Sequence, residues 1–575
     1  SRYGWSMSQQ GSVVRFDYLT GNNYSVKPTH PDPKIELRFN WNAAINIDPF
    51  DNNTLYFGSQ FVHKSTDKGL TWTVISEDLT TNNPEKLKQG ESGGLTMDAT
   101  GAENHCTFLV IEPIVLEKDA LWVATDDGQV HITKDGGKTW TNISKNIKDL
   151  PENSWITQIK ASNKNKGEAL LVANDYRRDN YKPYAYRTKN YGKTWERIVD
   201  ENDVASFTLS IIEDPENENL LFLGTDDGLY LSIDTGKNWT KWTEGFPTVP
   251  VNDLVIHPRE HDLIIGTFGR AAWVLDDIRP LRALAKGSIL KEKLVLFAPP
   301  TAYHATYQQP TGSRFGADAM YQGENRKSGA QISYYLNKSK EEKTDSITLE
   351  IFDGERLIRT LKLKTPEENG IHKTTWNLDE KGVDRASRSI RNSSKEPSGV
   401  DVKPGIYKLK ITFGELVSEQ NIKVEFDPRL QISKEAINQK YDASKTMERH
   451  QEKMAAIVKQ LVESKNTATA IKEQLSKEDK KKYDAEIKSS TEIIKKIDDL
   501  IAIYLGKVDD RQGITRNPEV TVSQRFGTAF SYIRSRFGNQ TDTEKQLANQ
   551  FVEAFNEAIK ITNTFYNSDW IAYKK

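Results

Sequence analysis

The sequence contains a single cysteine, no long apolar run and no excess of charge of either sign. Cys106 stands alone, so no disulfide can form within the chain. No stretch approaches the roughly 20 apolar residues that a membrane-spanning helix needs. The 79 Lys and Arg residues nearly balance the 81 Asp and Glu residues, so the chain lacks the basic surface typical of nucleic-acid-binding proteins. We therefore predict a globular protein with no transmembrane segment and no nucleic acid partner.

Motifs that bind metal ions are also missing. The nine histidines form no His-Glu-x-x-His pair and no His/Cys cluster with zinc-ligand spacing, and no loop has the spacing of an EF-hand. We therefore predict neither a metal site nor a cofactor. Calcium at the aspartate-rich loops stays open, because calcium takes carboxylate and carbonyl oxygens as ligands.

What the sequence does contain is a repeated eight-residue pattern, Ser/Thr-x-Asp-x-Gly-x-Thr-Trp, at 65–72, 133–140, 188–195 and 232–239. Asn replaces the Asp of the pattern in the third copy, and Asn replaces its Thr in the fourth copy. In such a turn, the Asp or Asn side chain accepts hydrogen bonds from backbone N–H groups, Gly adopts a conformation that other residues resist, and Trp buries a large apolar surface. We therefore assign a structural role to these Asp-box residues: Asp67, Trp72, Asp135, Trp140, Asn190, Trp195, Asp234 and Trp239.

Short apolar strands surround each of these turns. Leu121–Thr125 and Leu221–Thr225 are examples, and a further strand leaves each box after its Trp. Units of four strands that repeat at a spacing of about 40–70 residues are typical of β-propeller blades. We predict a propeller over residues 1–283 with about six blade equivalents, the first of them truncated. Because an open propeller exposes strand edges, we expect further blades N-terminal to Ser1.

The chain behind the predicted propeller changes its pattern twice. Residues 284–427 combine a connector with short alternating strands, which favours an Ig-like β-sandwich. Over residues 428–575 the apolar period becomes helical, with a row that includes Ile437, Met454 and Leu461, and this predicts an α-helical bundle. The predicted fold class is multidomain and mainly β, with Asp-box propeller blades followed by an Ig-like sandwich and a helical bundle.

Several stretches match one family in order along the chain: Arg38–Asn42, Ser76–Thr80, Thr125–Gly128, Val255–Arg259 and Asp262–Arg270. The chain resembles the second half of exported bacterial sortilin-type proteins with BNR (Asp-box) repeats, which are often labelled glycosyl hydrolases. The resemblance implies an extracytoplasmic location, either secreted, periplasmic or associated with the cell surface of a Gram-negative bacterium. Phe268 stands where many of these proteins have His.

Propeller geometry singles out one face for ligand binding. The Asp-boxes join the third and fourth strands of a blade, so the loops joining the second and third strands, and the linkers between blades, emerge on the opposite face. A long polar insertion, Ser76–His105, belongs there too, and long loops on a rigid scaffold are where function tends to sit. The Thr-Asp-Asp-Gly motif occurs twice, at 125–128 and 225–228, which also fits a hairpin turn. The candidate ligand residues are Asp126, Asp127, Asp175, Arg177, Arg178, Asp226, Asp227, Phe268 and Arg270.

Three functions fit these observations. The first is a non-catalytic binding or scaffold protein, because no catalytic constellation stands out. Its predicted partners are proteins of an envelope or outer-membrane complex and an N-terminal half of the propeller. The second is a sialidase-like or other glycosidase, which needs paired carboxylates about 5–10 Å apart, and its catalytic residues stay unassigned. The third is peptide binding, as in sortilin-type receptors, so glycan and peptide ligands are both open.

Overall fold

The computed structural model describes residues 2–88, 104–305, 326–339, 346–390, 395–478, 481–508 and 520–575. The chain divides into two compact units, Ser1–Lys291 and Glu292–Lys575. The first consists mainly of small antiparallel sheets, and the second of further sheets followed by helices. The predicted class, with propeller-type blades and a helical C-terminal region, is confirmed.

Six antiparallel sheets follow one another along the described part of the first unit, and we number them blades 1–6. Blade 1 contains β1 (Tyr3–Ser8), β2 (Ser12–Asp17) and β3 (Asn23–Ser25). Blade 2 contains β4 (Ile45–Ile47), β5 (Leu55–Gly58), β6 (Val62–Ser65) and β7 (Thr73–Val74). Blade 3 contains β8 (Phe108–Pro113), β9 (Leu121–Thr125), β10 (Val130–Thr133) and β11 (Thr141–Asn142).

Blades 4 and 5 also have four strands, whereas blade 6 has three. Blade 4 contains β12 (Trp155–Ala161), β13 (Ala169–Asp175), β14 (Asn180–Thr188) and β15 (Glu196–Arg197). Blade 5 contains β16 (Thr208–Glu213), β17 (Leu221–Thr225), β18 (Gly228–Ser232) and β19 (Thr240–Lys241). Blade 6 contains β20 (Val251–Ile256), β21 (Leu263–Thr267) and β22 (Ala272–Leu275), and the short helix α1 (Arg279–Leu284) follows.

Neighbouring blades bury each other's faces. Every residue of β5, β9 and β17 is buried, because each of these second strands lies between two packed blades. One apolar cluster, for example, joins Trp122 of blade 3 to Ile156 and Trp195 of blade 4. Packing on both faces explains why the second strands are continuous apolar runs and do not alternate with polar residues.

Each Asp-box is a turn held by its own side chains. In the first copy, the Asp67 carboxylate accepts hydrogen bonds from the Thr71 N–H and hydroxyl at 2.9 and 2.7 Å, and the Ser65 hydroxyl accepts from Gly69 N at 2.8 Å. Gly69 has a φ of 88°, a left-handed conformation that favours glycine. In the third copy, Asn190 accepts the bond from Thr194 N at 2.9 Å.

Box tryptophans also connect each blade to the one before it. Three indole Nε1 groups donate to a backbone carbonyl just after the outer strand of the preceding blade. The pairs are Trp72 with Val26 at 2.8 Å, Trp140 with Ile75 at 3.0 Å, and Trp239 with Ile198 at 2.8 Å. A turn defined by local sequence thereby fixes the spacing between successive sheets.

The second unit begins with two sheets that share one hydrophobic core. Its strands are β23 (Leu294–Leu296), β24 (Ala302–His304), β25 (Ala330–Leu336), β26 (Ser346–Asp353), β27 (Arg356–Lys364), β28 (Gly370–Trp376), β29 (Asp379–Lys381), β30 (Ser398–Asp401), β31 (Gly405–Phe413) and β32 (Leu416–Phe426). The sheet orders are β23-β25-β28 and β24-β32-β31-β26-β27, and β29 pairs with β30. Trp376 is fully buried in the shared core. The Ig-like assignment stays a prediction.

Five helices complete the described part of this unit: α2 (Lys434–Glu478), α3 (Asp484–Leu505), α4 (Val522–Ser535), α5 (Asp542–Asn567) and α6 (Asp569–Lys574). Capping boxes begin two of them. Thr521 accepts from Gln524 N at the start of α4, and Thr541 accepts from Glu544 N at the start of α5, both at 3.2 Å. The apolar faces of the helices form one core, as the helical period predicted. Among the helices that the structure describes, none has the length and apolar character needed to cross a membrane.

Glu380 joins β29 to α2 inside the second unit. Its buried carboxylate accepts hydrogen bonds from Arg356 at 3.0 and 3.1 Å, from Tyr441 at 2.6 Å and from Lys445 at 3.3 Å. Burial raises the pKa of Glu380, but the bonds from Arg356 and Tyr441 outweigh it and hold the pKa below its ordinary value. A single carboxylate thus connects a strand pair to the longest helix.

Candidate binding face

Backbone hydrogen bonds show that the turns of the blades lie on two faces. In blades 2–5 a box residue donates its N–H to a carbonyl in the turn between the first and second strands of the same blade. We call the face that carries both kinds of turn the box face. The pairs, at 2.8–3.1 Å, are Lys68 with Asn53, Gly136 with Asp119, Tyr191 with Gly167 and Thr235 with Asn219.

At the other end of the strands, the loop between the second and third strands meets the linker that enters a first strand. Asp126 N donates to the Thr107 carbonyl, Asp226 N to Phe207 and Phe268 N to Pro250, at 2.9–3.2 Å. We call this the loop face. The predicted ligand residues all lie in or beside these loops, but their surroundings differ from blade to blade.

Asp126 is fully buried and bonded inside the protein. Its carboxylate accepts from Thr107 N at 2.9 Å, from the Thr107 hydroxyl at 2.6 Å and from the Asn40 amide at 3.0 Å. Burial, together with the charge of Asp127, raises the pKa of Asp126 to about 7. This carboxyl group closes the junction between blades 2 and 3 and is not accessible to a ligand.

His105 lies beside that junction. Its Nδ1 is 3.8 Å from Asp126 Oδ2, and the ring is 2% exposed. Neither ring nitrogen has a hydrogen-bond partner. Burial lowers the pKa of His105 to about 4, so the imidazole is neutral at physiological pH.

Asp127 is likewise fully buried and anchors the start of the predicted insertion. It accepts from Thr81 N at 2.7 Å and from the Thr81 hydroxyl at 2.6 Å, and it also accepts from the Thr125 hydroxyl. The insertion was predicted over Ser76–His105. Residues 89–103 of it lie outside the described residues.

The second Thr-Asp-Asp-Gly motif has different surroundings. Asp226 is exposed, and partial burial together with the charge of Asp227 raises its pKa. Asp227 forms an ion pair with Lys241 at 2.7 Å. The position of Thr107 is taken by Phe207, which has no hydroxyl to donate. The same four-residue motif therefore gives two buried carboxylates in blade 3, but an exposed one and a half-buried one in blade 5.

In blade 4 the loop is a short turn, Tyr176–Arg178, fixed by Asp175. The buried Asp175 carboxylate accepts from Arg178 Nε at 2.6 Å and from the Asn180 amide at 3.1 Å. Asp179 closes the turn with a φ of 58°. Asp175 and Arg178 are therefore positioning residues, and the turn presents its remaining side chains in one arrangement.

Arg177 and Tyr176 of this turn meet three further aromatic side chains in a row of cation–π and ring contacts, which we call the aromatic ladder. The Arg177 guanidinium lies 3.5 Å from the Trp155 ring centroid and 4.5 Å from that of Tyr176. Tyr176 stacks on Phe207 with centroids 4.6 Å apart, and Tyr181 is 6.2 Å from Phe207. Tyr181 is 56% exposed, and Arg177 is also exposed. The ladder connects the loop faces of blades 4 and 5.

Of the ladder residues, sequence reasoning identified only Arg177. The other four residues could have been found from the positions of their aromatic side chains relative to the strands. Trp155 begins a first strand, and Phe207 directly precedes one. Tyr176 begins the loop between the second and third strands of blade 4, and Tyr181 lies at the start of the third strand. All of these positions lie at the loop face.

Phe268 and Arg270 of blade 6 are both exposed, Phe268 by 73%. Gly269, between them, has a φ of 89°, a left-handed conformation that favours glycine. In the described part of the chain, no ring contact joins Phe268 to the ladder, and no three His, Cys, Asp or Glu residues are grouped so as to hold a metal ion.

Comparison with known proteins agrees with the repeat. The family profile described as Sortilin, neurotensin receptor 3 (Sortilin-Vps10) matches residues 183–275, which cover most of β14 and blades 5 and 6. The predicted resemblance to sortilin-type Asp-box proteins is thereby confirmed for this part of the chain. No curated protein matches the chain.

Several solved structures are similar to the chain. The GH74 xyloglucanase from Xanthomonas campestris is 16% identical over 47% of this chain and 41% of its own, with a TM-score of 0.35. The GH74 enzyme of Niastella koreensis is 14% identical over 58% and 56%, with a TM-score of 0.30. YCF48 from Cyanidioschyzon merolae is 16% identical over 43% and 69%, with a TM-score of 0.29. The match thus spans less than half of the xyloglucanase.

Proposed function

We propose that this chain is a non-catalytic binding protein whose loop face, centred on the aromatic ladder, holds a protein or peptide partner. The ladder is the observation that carries the proposal. Tyr, Trp and Arg dominate binding hot spots, because they offer large contact areas with few rotatable bonds. The turn fixed by Asp175 holds Arg177 and Tyr176 in place before a partner arrives, which reduces the entropy lost on binding.

The surroundings of the carboxylates favour binding over hydrolysis. A glycosidase needs one carboxyl group to donate a proton and a second to act as nucleophile or base, both reaching the same sugar. Asp126 and Asp127 are fully buried and hydrogen-bonded, so neither reaches a substrate. Asp226 is exposed, but its neighbour Asp227 is paired with Lys241. A glycosidase centred on Asp226 is the alternative to be tested.

The resemblance to exported Asp-box proteins supports the rest of the proposal. We place the protein outside the cytoplasm, at the surface or in the envelope of a Gram-negative bacterium, as part of a larger envelope assembly. Its partners are then proteins of that envelope or of an outer-membrane complex, together with an N-terminal half of the propeller.

Selection from a random peptide-display library on the immobilised chain tests the loop face. Selected peptides should bind Arg177→Ala and Tyr181→Ala at least about tenfold more weakly than the native chain, a loss of about 1.4 kcal/mol. Lys237→Ala, at an exposed position on the box face, is the matched control and should bind normally. If the selected peptides bind all four proteins equally, the loop face is not the site.

A glycan panel tests the alternative. The native chain should release no product from xyloglucan or sialylated oligosaccharides. Turnover that is lost in Asp226→Asn, and kept in Lys237→Ala, would replace the binding proposal with a glycosidase.

A further inference from the structure

A cleft opens inside the second unit, at the place where its sheets meet its helices. Residues of β24, β30 and β32 line one side, and residues of α2 and α4 line the other. The space between them amounts to about 430 Å³, part of which is open to solvent. This volume lies at the lower end of the roughly 300–1,000 Å³ that is typical of small-molecule sites. The cleft therefore suits a compact ligand.

Aromatic rings form much of the lining of this cleft. Phe426 contacts both His304 and Phe537, with ring centroids 5.3 and 5.1 Å apart, and Phe530 also lines the cleft. His304 Nε2 donates to the Val402 carbonyl at 2.8 Å, which holds the imidazole ring in place. All four rings are only partly buried. They offer the flat walls against which a further aromatic ring packs favourably.

Positive charge is in excess at the same place. Lys403, Lys440 and Arg534 line the cleft. Asp401 is the only carboxylate among the described lining residues, and it lies 3.6 Å from the Arg534 guanidinium. Lys440 Nζ donates to the Arg534 carbonyl at 3.3 Å and lies 3.8 Å from the Phe537 ring centroid, but no carboxylate of the described residues pairs with it. Burial lowers the pKa of Lys440, and an anion in the cleft would offset that cost.

A hydroxyl group also lines the cleft without a bonding partner. Ser444 follows Lys440 by one turn of α2, so both side chains lie on the same face of the helix. Ser444 is 3% exposed, and its hydroxyl forms no hydrogen bond with any described residue. Because a buried polar group without a partner costs free energy, a ligand oxygen that bonds to this hydroxyl is favoured.

We propose that this cleft binds a small aromatic carboxylate. The ring of the ligand packs against Phe426 and Phe537. Its carboxylate accepts hydrogen bonds from the Lys440 ammonium and the Ser444 hydroxyl, and the Arg534 guanidinium adds to the attraction. The site belongs to the second unit alone, so it does not depend on the function proposed for the loop face.

Titration of the full chain with para-fluorophenylacetate, followed by fluorine NMR, tests the cleft. Binding should saturate with a dissociation constant of about 1 mM or lower, which is reasonable for a ligand with so few atoms. The amine para-fluorobenzylamine has the same ring but the opposite charge, and it should bind at least about tenfold more weakly. Absence of saturable binding, or equal binding of the amine, would overturn the proposal.

Variants then locate the bound carboxylate. Lys440→Met keeps the apolar stem, removes the charge and should weaken binding at least about tenfold, whereas Lys459→Met, at an exposed position of the same helix, is the matched control and should bind normally. Circular dichroism checks that each variant folds. Arg534→Gln, at an exposed residue, should weaken binding at least about threefold and decides the matter if Lys440→Met does not fold. Unaltered binding in folded Lys440→Met or in Arg534→Gln, or an equal loss in Lys459→Met, would each contradict the assignment.

Discussion

Trp195 packs edge-on against Trp122 of the preceding blade, with ring centroids 5.9 Å apart and an interplanar angle of 65°. Unlike the other box tryptophans, Trp195 has no hydrogen-bond partner for its buried Nε1. The equivalent acceptor would be the carbonyl of Ile143, which instead accepts from Asn146 N at 3.0 Å within a short turn. Other groups supply the hydrogen bonds between the box of blade 4 and blade 3: the Asn146 amide donates to the Gly192 carbonyl at 2.8 Å, and the Tyr191 hydroxyl donates to Glu117 at 2.6 Å.

This difference predicts unequal effects of the same substitution. Trp195→Phe and Trp239→Phe remove similar apolar area, since both rings are 7–8% exposed. Only Trp239→Phe removes a hydrogen bond, to the Ile198 carbonyl, and it should lower the free energy of unfolding by about 0.5–1.5 kcal/mol more. Scanning calorimetry of the full chain, read at the transition of the first unit, measures this difference. Equal losses would show that the indole bond contributes nothing.

The raised pKa of Asp126 predicts a pH-dependent effect. The folded state keeps the proton of Asp126 up to about pH 7, whereas an unfolded Asp releases it near pH 4. Between these values the unfolded state binds fewer protons, so the contribution of Asp126 to stability falls as pH rises. Asn does not titrate, so Asp126→Asn lacks this pH-dependent contribution to stability. The stability of the native chain relative to the variant should decrease from pH 4.5 to pH 7.5.

Urea unfolding at several pH values measures that decrease. Burial also lowers the pKa of His63 and His131 to about 4, but these groups are present in both proteins and cancel in the difference. His105 lies 3.8 Å from Asp126, but burial lowers its pKa to about 4, below the pH range measured, so it stays neutral in the folded state. A difference that is constant with pH would mean that Asp126 is ionised in the folded protein.

Thr81 should control how firmly the start of the insertion is held. Thr81→Val removes the hydroxyl that donates to the buried Asp127, and losing a bond to a charged acceptor costs about 1.5–3 kcal/mol. Hydrogen exchange should become faster over residues 76–88. Thr141→Val, at an exposed position in β11, is the control and should leave exchange unchanged. Unaltered protection in Thr81→Val would show that the backbone bond of Thr81 is sufficient.

Glu380→Gln should destabilise the second unit, because Arg356 and Lys445 lose their common carboxylate. Both cations are partly solvated, so we expect a loss of about 1–3 kcal/mol, below the cost for a fully buried pair. Since the pKa of Glu380 is lowered on folding, its contribution is present above the unfolded value and is lost as pH falls. Thermal unfolding at pH 7 and pH 3 should show a large difference between Glu380→Gln and the native chain only at pH 7. Glu367→Gln, at an exposed ion pair, is the control.

The blades were predictable because the Asp-box is a local structure. Asp67 and Thr71 are four residues apart and bond to each other, so eight residues of sequence contain the whole turn. The acceptors of the box tryptophans were not predictable. Val26 precedes Trp72 by 46 residues, and no local pattern indicates which carbonyl a neighbouring sheet will present.

The candidate site was predicted only in part, for the same reason. Both Thr-Asp-Asp-Gly motifs look alike in sequence, but Asp126 is buried by Thr107 and Asn40 from two linkers, whereas Asp226 is exposed. Partners far along the chain decide which carboxylates face solvent. The loop face was predicted from strand order, whereas the contacts that form the aromatic ladder came from packing between blades 4 and 5.

The indole bonds of Trp72, Trp140 and Trp239 all run backwards, from a blade to its predecessor. The series of blades therefore has a direction along the chain. Such a bond from the following sheet clamps blades 1, 2 and 4. Blade 3 receives no indole bond from Trp195, and blades 5 and 6 have no such clamp within the described chain. Under mechanical tension we expect the unit to unzip from blade 6 towards blade 1, one sheet at a time, with each step releasing the next.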